Sequence, residues 1–112
     1  MAEAPTITVT ARDAELEEQT RAEIEARCRD LAREFPETLH FEVTVTQDGA
    51  GHAVHAHVTG KGTEVAAQVS DEEPSRAADR ALDTVERRLR RVHDKRIFTR
   101  RREARRNPPK KS

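Results

Sequence analysis

From Thr6 to Arg12 apolar and polar residues alternate: Ile7, Val9 and Ala11 share one face, Thr8, Thr10 and Arg12 the other. Period-two alternation of β-branched residues predicts a half-buried strand. The period then changes. Leu16, Thr20, Ile24, Leu31 and Phe35 recur at spacings of three, four or seven, with Cys28 at the margin of their stripe. That spacing predicts an amphipathic helix with its apolar side inward. Asp13 is placed to cap it from Ala14 onward, and Pro36 ends it. Its outer face carries Glu17, Arg21, Glu25, Arg29 and Arg33, with opposite charges four residues apart.

Three more alternating segments follow. Leu39 to Gln47 points Leu39, Phe41, Val43 and Val45 one way and His40, Glu42, Thr44 and Thr46 the other. His52 to Thr59 repeats this with Val54, Ala56 and Val58, and Thr63 to Ser70 with Val65, Ala67 and Val69. Asp48-Gly49-Ala50-Gly51 and Gly60-Lys61-Gly62 are turn sequences between them. A second helix is expected from Pro74, a residue suited to the first helical position, rather than from a Ser70/Glu73 capping box. Its stripe is Ala78, Leu82, Val85, Leu89 and Val92, and it should persist to about Arg96.

The order is β-α-β-β-β-α, an α+β fold. Each strand has one apolar face, so one side of a four-stranded mixed sheet is covered and the other stays wet. Both helices belong on the covered side. The order is similar to that of double-stranded-RNA-binding domains. Residues 1–5 are a leader, 6–96 the folded domain and 97–112 a basic, disordered tail, Pro108-Pro109 arguing against order at its end.

Composition narrows the possibilities. Of 112 residues, 38% are charged and 34% hydrophobic, against about 25% and 45–50% in ordinary domains. The core is therefore thin and the surface very polar. No run of about 18 apolar residues exists to span a membrane, and no secretory signal is evident. One cysteine excludes an internal disulfide and fits a reducing cytoplasm.

The net charge of zero hides a split. Residues 1–80 hold 8 Lys+Arg against 17 Asp+Glu, a net −9; residues 81–112 hold 13 against 4, a net +9. Such asymmetry points to a basic arm that meets a polyanion. On a wheel of the second helix, Arg80, Arg87, Arg88, Arg91 and Lys95 fall on one flank of the apolar stripe, and Asp79, Asp83, Glu86 and Arg90 on the other. At four-residue spacing Asp83 can neutralise Arg87, and Glu86 can neutralise Arg90. Arg88, Arg91 and Lys95 have no acid three or four positions before them. They form a stripe about 10 Å long, suited to the phosphates of a nucleic-acid backbone. The candidate RNA-binding set is Arg80, Arg87, Arg88, Arg91 and Lys95, continued by Arg96, Arg100, Arg101, Arg102, Arg105 and Arg106.

Other chemistry is sparse. The three aromatics are Phe35, Phe41 and Phe98, and the first two sit on core faces, so bases would find no stacking platform on the sheet. His55 and His57 project from the wet face, but a structural zinc site needs four ligands and a catalytic one three plus water. Neither they nor His52 imply a metal. Cys28 reads as a half-buried structural thiol. No nucleophile-base-acid set, phosphate loop or paired carboxylate is present, so neither an enzyme nor a cofactor is expected.

Several strings resemble the ribosome hibernation-promoting factor family, also called ribosome-associated inhibitor. They are Ile7-Thr8-Val9-Thr10-Ala11-Arg12-Asp13, Ala77-Ala78-Asp79-Arg80-Ala81-Leu82-Asp83, and Val85 through Lys95. The chain looks like a short, divergent form, similar over about residues 6–96. The resemblance implies a cytoplasmic factor of stress and stationary phase. It would bind rRNA of the small ribosomal subunit in the mRNA and tRNA channel, block initiation and hold idle ribosomes inactive. The family's basic positions of the second helix fall on Arg87, Arg91 and Lys95, with Arg88 beside them. This chain differs in its acidic first helix, in Ser75 at a usually aromatic position, and in His93 for a usual lysine. No membrane or small-molecule partner is expected, and a monomer is, with tail-to-body self-association of the −9 and +9 parts as a variant. Two other readings compete: a general double-stranded nucleic-acid binder, and a charge-driven protein-protein or self-associating module.

Overall fold

A computed structural model describes the backbone of residues 5–106 and the side chains of residues 5–95. The elements are β1 (Thr6–Arg12), α1 (Glu18–Glu34), β2 (Thr38–Asp48), β3 (Gly51–Gly60), β4 (Thr63–Asp71) and α2 (Pro74–Arg106). They make the expected α+β fold. The sheet order is β1-β2-β3-β4, with β1 and β2 parallel and the other pairs antiparallel. A helical crossover joins the parallel strands and tight turns join the antiparallel ones. α1 lies over β1 and β2, α2 over β3 and β4, and the helices touch each other.

The core is the layer between helices and sheet. Phe41, Val43, Val45, Val54, Ala56 and Val58 from the central strands meet Ile24, Cys28 and Leu31 of α1 and Leu82, Val85 and Leu89 of α2, all buried. Ala77 and Ala81, outside the expected stripe, are fully buried as well. Their small side chains widen the inward face of α2 where it lies on β3 and β4. The opposite sheet face is polar and open.

Four sequence expectations need correction. First, α1 begins at Glu18, not Ala14. Asp13 has φ of 51°, a left-handed turn conformation that Asp tolerates and that an N-cap, which requires extended backbone, does not adopt. The cap position is Glu17, without a side-chain capping bond. Second, Cys28 is fully buried, not half-buried, because Ile24, Cys28, Leu31 and Phe35 form the true four-three-four stripe. Third, β2 has a register irregularity between Thr38 and His40. Thr38 turns inward and Leu39 is only half-buried; the Thr38 hydroxyl donates to the Phe35 carbonyl at 2.7 Å, so its burial leaves no polar group unmatched.

Fourth, α2 continues to Arg106, well past Arg96. Residues 97–106 are helix where a disordered tail was expected; 107–112 lie outside the described residues. Arg, Glu and Ala are strong helix formers, and neither Gly nor Pro interrupts them before Pro108. The basic charge suggests a tail, but helical propensity and an existing helix to extend outweigh it, since propagation is far easier than nucleation.

Both edge strands are guarded by arginine. Arg21 of α1 donates to the Val9 carbonyl on β1, and Arg88 of α2 donates to the Ala66 carbonyl on β4. Guanidinium groups on the outermost strands oppose pairing with another chain's edge.

Candidate nucleic-acid interface

The start of α2 is set by local chemistry. Asp71 ends β4, and its carboxylate accepts from the Glu73 backbone N–H at 3.2 Å. It also receives Arg76 and Arg80, each at 3.4 Å. That backbone hydrogen bond first, and the two arginines after it, hold the Asp71 carboxyl below its ordinary value. The buried stripe then sets the rotation of α2, and rotation decides which charges face α1 and which face solvent.

Toward α1 the helix is acidic. Asp83 meets Arg27 at 2.7 Å and Glu86 meets it at 3.4 Å. The hydrogen bond from Asp83 is the main reason that the Arg27 pKa is raised. Arg90 reaches Glu34 of α1 and lies 3.6 Å from Glu86. Farther along, His93 pairs with Glu37 at 3.1 Å and packs edge-on against Phe35, ring centroids 5.9 Å apart. His93, at a position expected to be lysine, thus ties α2 to the loop before β2.

Away from α1 the helix is basic. Arg87, Arg88 and Arg91, with Thr84, line a half-open depression of about 240 Å³ beside β4. Arg87 donates to the Thr84 hydroxyl at 3.3 Å, and that hydroxyl donates to the Arg80 carbonyl at 3.0 Å. Arg88 donates to the Ala66 carbonyl. Among the described residues, none of the three pairs with a carboxylate. The expected Asp83–Arg87 pair does not form, because Asp83 is taken by Arg27 across the helix interface. The expected Glu86–Arg90 pair does form.

The structure thus brings Arg87, Arg88 and Arg91 together. Arg80 stands apart with Asp71, and Lys95 lies farther along the same helix, exposed. The side chains of Arg96, Arg100, Arg101, Arg102, Arg105 and Arg106 lie outside the described residues. Sequence reasoning missed Thr84 and the Ala66 carbonyl. Thr84 was legible one turn before Arg87 and Arg88; the carbonyl was not, because it comes from another element.

The open sheet face is a poor rival site. His55 and His57 stack with centroids 6.5 Å apart, and His57 lies 3.3 Å from Glu64. Among the described residues no three His, Cys, Asp or Glu side chains gather as metal ligands. No helix there is long and apolar enough to cross a membrane.

Comparison with known proteins adds to this geometry. Residues 7–97 match the family described as sigma 54 modulation protein / S30EA ribosomal protein. Two solved structures share the fold. The N-terminal domain of Protein Y from Thermus thermophilus superposes with a TM-score of 0.68 at 23% identity, covering 78% of this chain and 97% of that one. A ribosomal subunit interface protein from Coxiella burnetii gives 0.68 at 18% identity, covering 80% and 98%. The curated proteins include no match.

Proposed function

The chain belongs to the sigma 54 modulation protein / S30EA ribosomal protein family, and from that premise we propose that it is a ribosome-binding translation inhibitor. It occupies the mRNA and tRNA channel of the small subunit and holds rRNA through the basic flank of α2. One observation carries this reading: Arg87, Arg88 and Arg91 converge on a solvent-open depression with their charge uncancelled by any described carboxylate. Uncancelled guanidinium groups bind phosphate through paired hydrogen bonds and release condensed counterions in doing so. Lys95 and the arginines of residues 96–106 extend the contact along the same helix. Arg80 contributes less, since Asp71 already holds it.

Binding is to the backbone rather than the bases. The wet sheet face presents Thr, His, Glu and Gln and no aromatic platform, and phosphate contacts set position without reading sequence. Inhibition then follows from occupancy: a folded domain clamped in the channel excludes mRNA and tRNA. The sheet fixes the rotation of α2 through its buried stripe.

The test is co-sedimentation with purified small subunits across a salt series. Intact protein should bind, with affinity falling steeply as salt rises. Charge reversal at Arg88, Arg91 and Lys95 together should abolish binding, and Arg91→Gln alone should flatten the salt slope by about one unit. Retained binding by the triple reversal sinks the assignment. Equal affinity for ribosomes and random duplex RNA would instead establish a general nucleic-acid binder.

A further inference from the structure

Two of the three arginines are oriented by neutral partners. Arg87 leans on the Thr84 hydroxyl and Arg88 on the Ala66 carbonyl. The Thr84 proton is already donated to the Arg80 carbonyl, so its oxygen is left to accept from Arg87. A carboxylate partner would orient a guanidinium and also cancel its charge. A hydroxyl or carbonyl orients it and leaves the charge whole. Each anchored arginine commits part of its fork and keeps its remaining N–H groups for a ligand. Arg91, one turn on, completes the set without any described partner of its own.

The charges also converge instead of running in line. Arg88 is drawn toward β4 and Arg87 is held against its own helix, and Arg91 lines the same depression. Phosphates along an RNA strand are separated by sugars. Those of an oligophosphate share bridging oxygens and concentrate negative charge in one place, a better match for three converging cations. At about 240 Å³, the depression falls below the roughly 300–1,000 Å³ of sites that enclose drug-sized ligands. A depression of that size suits a phosphate chain and is too small to enclose an attached nucleoside as well.

We propose that the depression formed by Thr84, Arg87, Arg88 and Arg91 is a binding site for a free oligophosphate, either inorganic or the phosphate chain of a nucleotide, which competes there with RNA. This rests on the reading of α2 as the phosphate-binding element. Its consequence is regulatory: a cell rich in the free anion weakens the hold of the protein on its RNA target. Thr84 acts as a positioning residue, setting Arg87 before the ligand arrives.

Calorimetric titration of the full chain, at low salt and without magnesium, tests this with inorganic triphosphate, ATP, GTP and adenosine. Triphosphate, ATP and GTP should bind at one site with affinities within about threefold of one another, and adenosine should not bind, because only the phosphate chain is held. Arg87→Gln and Arg91→Gln should each weaken binding by about tenfold, the cost of a charge-assisted hydrogen bond. Thr84→Val, which keeps shape and charge, should weaken it severalfold, and Thr84→Ser should restore it. Circular dichroism confirms that each variant is folded. Triphosphate should also displace the protein from small subunits at the concentrations that saturate the site.

Absence of triphosphate binding by a protein that still co-sediments overturns this inference alone. Binding indifferent to Arg87→Gln and Arg91→Gln overturns the site. Strong preference for one nucleobase overturns the phosphate-only recognition. Site-specific triphosphate binding by a protein that does not bind ribosomes supports the oligophosphate site and removes the ribosomal reading instead.

Discussion

Single residues in this protein are governed by what surrounds them. Cys28 is fully buried and its thiol is pushed up to about 12, first by loss of solvent. A thiol that stays protonated is a poor nucleophile. Cys28 should therefore resist Ellman's reagent in the native protein and react at once in denaturant; fast native labelling would contradict its burial. Gly60 answers to a close approach. A Cβ there would lie 2.1 Å from the Glu37 carbonyl oxygen and 2.8 Å from Thr38 Cα, both backbone atoms. The same loop is held by Lys61 N–H donating to Glu37 O at 2.9 Å. Gly60→Ala should lower unfolding free energy by about 1–3 kcal/mol, the usual cost of overpacking, measured by urea denaturation. The sequence shows Gly60 as a turn residue; that it also admits another loop depends on how β2 and β3 meet.

At the scale of elements, α2 shows most clearly how much can be read in advance. Its stripe and its basic flank follow from spacing alone, since a helix places residues three and four apart on one side whatever surrounds it, and its start follows from the suitability of Pro74 for the first helical position. Its end does not follow. Charge density in residues 97–106 resembles a tail, while the propensity of the same residues sustains helix. The start of α1 departs from its sequence signal for a related reason: Asp13 has the right side chain for a cap but the wrong backbone, and backbone angle is not written in residue type. Asp71 makes this testable by pH. Its carboxyl, held below its ordinary value by the Glu73 N–H first and by Arg76 and Arg80, stabilises the fold while ionised. That contribution is present above the ordinary carboxylate range and is lost as pH falls through the lowered value. Asp71→Asn should lower the melting temperature at neutral pH, and its deficit should shrink in strong acid. An equal deficit at both ends would exclude the charge as the cause.

Across the whole molecule, two layers divide the work. The domain is thin and long, 66 × 29 × 16 Å, as expected of one helical layer on one sheet with α2 running past both. Residues 94–106 carry that helix about 20 Å beyond the His93 contact with Phe35. The −9 and +9 parts of the chain meet at the helix interface, where Arg90 of the basic part pairs with Glu34 of the acidic part, while Arg27 with Asp83 and Glu86 pairs the minority charges of each. Arg87, Arg88 and Arg91, which meet no described carboxylate, lie on the opposite flank of α2. The sheet face should then be a bystander in RNA binding. Replacing His55 and His57 together by Gln should leave ribosome co-sedimentation within about twofold of the parent, while Arg88→Glu with Arg91→Glu removes it. A loss caused by the histidine pair would move the interface to the sheet.

The chain alone determined the order of its elements, the inward face of each and the flank of α2 that is basic, because period and composition are local properties. The tertiary structure decided which of those charges stay available. Asp83 sits four residues before Arg87 and was expected to neutralise it, yet it turns across to Arg27, 56 residues away, at 2.7 Å. Arg88 finds its partner in the backbone of β4. An ion pair goes to the partner that packing brings near, and packing joins residues that sequence spacing cannot relate.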